Sequence, residues 1–317
     1  MKALFIQLKY QLKNIKYKSI ETVFIGGGTP STIKPSLYKE IFNFLKPYII
    51  ANCEITTEAN PNSASIEWLK GMKQLGVNRV SFGVQSFDEN KLKRLNRSHT
   101  PNMAIDAINN ANIIGIKNIS LDIIYSFEND TKELLLNDIN IAFELPINHI
   151  SAYELTIEDG TKFANTPEVK VDNLEFSYFI RDEIIKRGFS QYEVSNYGAY
   201  QSIHNIGYWQ LKNYIGIGAG AVGFMDNKRF YTHTDIEEYI SNPTYKSIEE
   251  LSSNDIILEK LLLGFRSKVG VDKNILDEDM IKRANYLVEN DKLYIENNIY
   301  YNRDFLLSDE IALYVVR

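Results

Sequence analysis

Short runs of β-type composition recur at residues 21–25, 53–58, 79–84, 119–125 and 149–155, and a stretch with helical periodicity separates each from the next. No other feature narrows the fold as far. The helical stretches cover residues 36–45, 66–72, 104–114 and 133–145. Ser65 and Thr100-Pro101 supply start signals, and Gly76 and Gly115 supply stop signals. Repeated βα units build a parallel sheet, which right-handed crossovers wind either into a barrel or into an open doubly wound form. The 317 residues are ample for one large core with an appendage, or for two domains.

The opening segment breaks the rhythm. Phe5, Leu8, Leu12 and Ile15 fall on one face of a helix that precedes any strand. Either this helix is a cap, or a strand and its loop lie upstream of Met1. After residue 170 the pattern changes to a helix over residues 173–188, a strand around residues 191–194, and an aromatic, Gly-rich stretch through Phe224. From about Ile256 come a helix, a second helix over residues 279–289, and two short runs joined at Asn297-Asn298, followed by a helical end. The expected division is therefore 1–170 for the βα barrel, 171–250 for an extension, and 251–317 for a winged-helix-like α+β module. In a sequence whose formal charge over all 317 residues is −6, that module reads as a structural cap, since nucleic-acid affinity rests on Lys and Arg. No nucleic-acid partner is expected.

No apolar run approaches the roughly 18 to 20 residues needed to cross a bilayer. Cys53 is the only cysteine, so neither an internal disulfide nor a thiolate metal site can be completed within these residues. A reducing cytoplasm fits this usage, and the strand setting of Cys53 predicts a buried, inert thiol.

Gly26-Gly27-Gly28-Thr29-Pro30-Ser31 comes directly after the first β run and precedes a helix, where backbone groups can approach a ligand that side chains would block. The dinucleotide fingerprint fails at Ser31, and no Gly-Lys-Ser/Thr completes a phosphate loop. Taken alone the segment also reads as a tight strand-to-helix turn. Other polar residues fall at the carboxyl ends of successive strands: Glu58, Gln85, Asp122, and Glu154 or Glu158. In a parallel barrel those ends share one mouth. Singly, each reads as a helix cap or a surface charge. Together they predict a site for a polyhydroxylated ligand, because carboxylates and amides accept hydrogen bonds from ribose-type hydroxyls. Arg97 offers a fork for a carboxylate, or else belongs to a solvated helical face with Lys91, Lys93 and Arg94.

The ordered set GGGTPST, TTEANPNS, RVSFGVQSF, LKRLNRSHT, SLDIIYSF and SAYELTIEDGT, over roughly residues 20–162, resembles the HemN/HemW-type radical S-adenosylmethionine (SAM) family. The resemblance implies an α/β fold: a partial barrel of about six βα units, here short of its first strand, with the winged-helix-like C-terminal domain. It implies that Gly26, Gly27, Gly28 and Thr29 contact the methionine amino group of SAM, that Glu58, Gln85 and Asp122 bind the ribose, and that Arg97 clamps the carboxylate. Ile124 and Tyr153 are implied as the walls around adenine. Within the family, His204-Asn205-Ile206-Gly207-Tyr208-Trp209, followed by Tyr214-Ile215-Gly216, resembles the HNxxYW signature of heme chaperones rather than the coproporphyrinogen III oxidases, which are the alternative function. The resemblance thus implies heme handling: His204 is the candidate iron ligand, Asn205, Tyr208 and Trp209 accompany it, and Tyr214 adds flat apolar surface. On the residues alone, His204 also reads as a satisfied structural histidine and the aromatics as core.

Two departures stand out. The family pattern places CxxxCxxC on the loop after the first barrel strand to hold a 4Fe-4S cluster, and this sequence has none. The opening helix matches the helix that relatives carry after that loop, so the resemblance implies that the cysteines lie upstream of Met1 and that the cluster belongs to the full-length protein only; a natural cluster-free paralogue is the alternative. The second departure is Val222, where relatives commonly carry a histidine. The resemblance further implies respiratory heme enzymes or bacterioferritin-like heme donors as partners, peripheral membrane contact, a homodimer and a cytoplasmic location.

Overall fold

The strands form where β-branched and aromatic residues alternate with polar ones, and several helices begin at a side chain that caps them. Ser65, Asp88, Thr100 and Thr131 each accept a backbone N–H from the first turn of the adjoining helix, a contact worth about 1 kcal/mol. The computed structural model describes residues 1–16, 19–157, 160, 162–171 and 173–317. In chain order the elements are α1 (Lys2–Asn14), β1 (Ile20–Ile25), α2 (Lys39–Leu45), β2 (Ile49–Ala59), α3 (Ile66–Gln74), β3 (Arg79–Gln85), α4 (Glu89–Arg94), α5 (Pro101–Ile113), β4 (Asn118–Tyr125), α6 (Lys132–Glu144) and β5 (His149–Glu154). Then come α7 (Leu174–Lys186), β6 (Ser190–Gln191), β7 (Asn196–Gly198), α8 (Ile203–Trp209), β8 (Val222–Met225), β9 (Lys228–Tyr231), α9 (Ile236–Ser241) and β10 (Ser247–Glu250). The chain ends with α10 (Ser253–Phe265), β11 (Val271–Asp272), α11 (Glu278–Glu289), β12 (Leu293–Glu296), β13 (Ile299–Asn302) and α12 (Ser308–Val316).

The expected βα repeat is present. Its strands lie in the order β1-β2-β3-β4-β5-β7-β6 within one seven-stranded sheet. The ladders from β2 through β5 are parallel, whereas β7 pairs antiparallel with both β5 and β6. The single strand expected around residues 191–194 is instead two short strands flanking Tyr192, Glu193 and Val194. The break lets the Ser195 N–H donate to Glu193 Oε2 at 3.2 Å and turns the chain back on itself.

The residues divide into two compact units: Thr22–Ser36 with Asn52–Ser202, and Met1–Glu21 with Leu37–Ala51 and Ile203–Arg317. The first unit holds the parallel ladders. One side of its sheet carries Val80, Phe82, Ile119, Leu121, Ile123, Ile150 and Ala152, all buried, and α5 and α6 cover it with Ala104, Ile108, Leu135 and Ile139. Each fully buried Ile, Leu or Phe contributes about 1.5–3 kcal/mol.

In the second unit α1 buries Leu8 and Leu12, and its buried Gln7 binds three partners. The Gln7 amide donates to Gly216 O at 3.3 Å, and its carbonyl accepts from Gly218 N at 2.9 Å and from the Tyr239 hydroxyl at 2.7 Å. The strands β10-β9-β8 form an antiparallel sheet, and β11-β13-β12 a second one. Around the latter, α10, α11 and α12 close a core of Leu261, Phe265, Leu287, Leu293, Tyr300 and Val315. Asn297 and Asn298 turn the β12–β13 hairpin, both with positive φ as a tight primed turn requires. No helix among the described residues is long and apolar enough to cross a membrane.

One buried polar tie fixes the end of β3. Asp138 on α6, fully buried, accepts the Phe87 N–H at 2.6 Å and the Ser86 hydroxyl at 2.8 Å. Burial raises its carboxyl to about 6 from an ordinary 3.8, so its stabilising share is complete below 3.8 and falls as pH rises through 6. Asp138→Ala is expected to lower the unfolding free energy by about 1–3 kcal/mol in urea titrations. It should also flatten the stability profile across that pH window; an unchanged midpoint and profile would show that the tie contributes nothing.

Candidate functional site

Residues paired across a parallel ladder project to the same face, and neighbours along a strand project to opposite faces. The registers therefore define a second, polar face on the first unit. Thr56 pairs with Arg79 and Glu58 with Ser81; Ser81 then pairs with Ser120. Ser120 pairs with His149, Asp122 with Ser151, and Ile124 with Tyr153.

Towards the amino ends of the strands this face is closed by hydrogen bonds. Ser120 Oγ lies 2.6 Å from His149 Nδ1, and His149 Nε2 lies 2.7 Å from the Tyr192 hydroxyl. The Tyr200 hydroxyl donates to Glu54 Oε2 at 2.6 Å and the Ser202 hydroxyl to Glu54 Oε1 at 3.2 Å. His149 is completely buried, and burial followed by the Arg79 charge pushes its imidazole far below its usual range, so it stays neutral. It is a structural histidine, in keeping with its strand setting.

Towards the carboxyl ends the polar groups converge without closing. Gly26, Gly27 and Gly28 form the turn after β1, and the Gly27 N–H donates to Glu58 Oε2 at 3.2 Å. A Cβ on Gly26 would stand 2.5 Å from the Phe24 ring and 3.1 Å from the Glu58 carboxylate, so only glycine fits there. Gly27 and Gly28 have φ of +76° and +57°, with open space where a side chain would stand. Asn60, just past β2, ties this turn down: its N–H donates to Ser31 Oγ at 3.0 Å and its amide reaches Thr29 Oγ1 at 3.5 Å.

Gln85 ends β3 at an irregularity in the β3–β4 ladder and adopts a left-handed φ of 71°. Such bulges re-aim a side chain. Its amide oxygen accepts from the Tyr153 hydroxyl at 3.3 Å, and a Cβ on Gly83 would press on both Gln85 Nε2 and Asn60 Oδ1. Asp122 Oδ1 accepts from the Ser81 hydroxyl at 3.3 Å. Crowding by protein atoms, then the Glu58 charge, raise the Asp122 carboxyl to about 6, while Ser151, Arg79 and Ser81 oppose the shift. Some of its surface nevertheless remains open. Burial also raises Glu58. Burial raises the Tyr153 hydroxyl, the Asp122 and Glu58 charges add to the rise, and Arg97 and the Gln85 hydrogen bond oppose it.

Of the residues singled out in the sequence, Gly26 to Thr29, Glu58, Gln85, Asp122 and Tyr153 thus gather at the carboxyl ends of neighbouring strands, and the Arg97 charge acts on Tyr153. The Arg97 guanidinium makes no ion pair among the described residues. Ile124 pairs with Tyr153 on the polar face and packs with Leu95, Phe127 and Leu155. Glu154 is not part of the site: it lies on the helix-facing side and accepts from the Ser177 hydroxyl of α7 at 2.9 Å. Glu158 lies outside the described residues. Lys91 is not on a solvated face either; it is buried, 2.7 Å from both Asp130 Oδ1 and Ile124 O. Sequence reasoning misses Ser81, Ser151, Asn60 and Gly83, although the alternation Val80-Ser81-Phe82 and Ile150-Ser151-Ala152 carries the signal. Cys53 is buried, and burial followed by Glu54 lifts its thiol to about 11.

In the other unit, α8 sets His204 and Tyr208 one turn apart on one face. His204 Nε2 lies 3.0 Å from the Tyr208 hydroxyl, at the protein surface. Tyr208 stands edge-on to Tyr214, with ring centroids 4.7 Å apart. Asn205 is half-buried, and Trp209 Nε1 is buried with no hydrogen-bond partner.

Comparison with known proteins agrees with these features. Residues 5–140 match the Radical SAM superfamily. The protein named heme chaperone HemW of Lactococcus lactis is 34% identical over 275 residues, covering 82% of this chain and 73% of its own length. Its counterpart from Buchnera aphidicola of Acyrthosiphon pisum is 32% identical over 304 residues, 92% of this chain and 81% of that protein. Among solved structures, Escherichia coli coproporphyrinogen III oxidase (HemN), described as a radical SAM enzyme, superposes with a TM-score of 0.82 over 99% of this chain and 82% of its own, at 16% identity. That likeness fixes the fold. The identity to relatives, sustained over most of both chains, fixes the rest: the protein belongs to the HemW family of the radical SAM superfamily.

Proposed function

We propose that this protein is a heme chaperone that takes heme on the α8 face through His204 and passes it to membrane respiratory enzymes from the cytoplasmic side. The observation that carries the reading is the surface pair His204 and Tyr208 on the HNxxYW helix. An imidazole can ligate heme iron, and Tyr208, Trp209 and Tyr214 offer ring faces and edges to a porphyrin. The names of the relatives support heme as the cargo.

The glycine turn and the polar face fit SAM. Open space over Gly27 and Gly28 admits a ligand backbone, and two carboxyls with raised proton affinity face the same space. Gly26 to Thr29 would hold the methionine amino group, Glu58, Gln85 and Asp122 the ribose hydroxyls, and Arg97 the carboxylate, with Ile124 and Tyr153 flanking the adenine. SAM supplies a sulfonium that reductive chemistry can open. The iron–sulfur cluster for that chemistry does not fit the residues here: Cys53 is a single buried thiol, and no group of three or more His, Cys, Asp or Glu suited to a metal occurs among the described residues. These residues bind and orient; no electron transfer is assigned to them.

Titration with ferric heme should give a Soret shift, and His204→Ala should weaken binding about tenfold or more. An unaltered spectrum and affinity would overturn the heme reading. SAM binding measured by calorimetry should strengthen as pH rises through about 6, where Asp122 becomes an acceptor-only carboxylate. Asp122→Asn should weaken binding and flatten that profile; a flat wild-type profile would remove Asp122 from ribose recognition.

A further inference from the structure

Resting on the heme reading above, we infer that Tyr208 is an internal competitor for the heme-binding nitrogen of His204, and that this competition keeps the cargo releasable. His204 Nε2 and the Tyr208 hydroxyl are 3.0 Å apart, a hydrogen bond in either tautomer. A ring nitrogen that accepts the phenol proton has no lone pair left for iron, and one that donates its own proton has none to offer. Iron capture through Nε2 therefore requires the phenol to leave.

The structure gives it somewhere to go. The rings of His204 and Tyr208 meet edge to face at 4.6 Å, and Tyr208 in turn meets Tyr214 at 4.7 Å. Tyr214 lines a cavity of about 160 Å³ together with Ile215, Gly216, Met225, Phe230 and Thr232. A void of about 150 Å³ is enough to admit a benzene ring, so Tyr214 can retreat and Tyr208 can move after it. Because the helix holds both partners one turn apart, the phenol stays at high local concentration and returns to Nε2 when the iron departs. Heme affinity is thereby lowered by the strength of one surface hydrogen bond. That is a small amount, suited to tuning release without preventing capture.

The test compares heme affinity and dissociation rate in the wild type, Tyr208→Phe and His204→Ala. Tyr208→Phe keeps the ring and loses only the hydroxyl; it should bind heme about two- to tenfold more tightly, with slower release to an apo-heme acceptor such as apomyoglobin. Should that variant fail to fold, 3-fluorotyrosine at position 208 gives the converse measurement. It is a stronger donor of nearly the same shape and should weaken binding. Unchanged or weaker binding by Tyr208→Phe, or tighter binding by the fluorinated form, overturns the competition. Damage to the fold would weaken binding, so the expected tightening separates competition from a structural role. If His204→Ala leaves the heme spectrum and affinity unchanged, the failure lies in the underlying heme reading instead.

Discussion

The parallel register from β2 to β5 is the constraint on which the polar site depends. A shift of one residue in any ladder would turn Arg79, Asp122 or His149 toward α5 and α6, and bring Val80, Leu121 or Ile150 onto the polar face. Leaving one buried charge unpaired costs several kcal/mol, as much as two or three buried aliphatic side chains contribute. The apolar side and the polar side thus select the same alignment. The side chains of the candidate site and those that stabilise the sheet are placed by one set of backbone hydrogen bonds.

The polar face divides by how fully its groups are paired. At the amino ends, Glu54, Ser120, His149, Tyr192, Tyr200 and Ser202 bond to one another, while the buried Thr56 Oγ1 and Arg79 Nε have no hydrogen-bond partner among the described residues. At the carboxyl ends Glu58 has one N–H donor from the glycine turn and Asp122 has two serine hydroxyls, fewer than a buried carboxylate can accept. Their raised proton affinity expresses the same deficit, because neither burial nor mutual repulsion is fully offset by donors. A ligand bearing hydroxyls would supply what is missing. The closed tier therefore holds rigid the strands that present the open one, which is how a site stays preorganised without its ligand.

Much of this is legible in the sequence. The strand positions, the glycine turn and the carboxyl-end polar residues come from period-two patterning and from the rule that parallel strands share an active end. Glu154 escapes that rule, because a polar residue at a strand end need not face the mouth, and as the neighbour of Tyr153 on β5 it projects to the helix side. Lys91 escapes it too, because a helical charge run looks solvated until a buried Asp130 from a distant loop is known. The left-handed bulge at Gln85 and the split between β6 and β7 depend on tertiary pairing, which a local pattern does not encode. Ser81 and Ser151 carry no charge and no assigned role within their motifs, so only the register reveals them.

The α8 motif illustrates a different limit. Spacing alone sets His204 and Tyr208 on one helical face, and the family resemblance names both as heme-facing groups. The sequence does not say whether the phenol supports the imidazole or contends with it. A 3.0 Å contact between the hydroxyl and Nε2 makes the two groups share a single bonding position. In the proposed heme site, whichever atom takes that position, the other must yield, so the pair would carry a means of letting go. A protein that held heme permanently would have no use for such a pair; for one that hands heme on, a weak rival one helical turn away is a direct physical means of doing so.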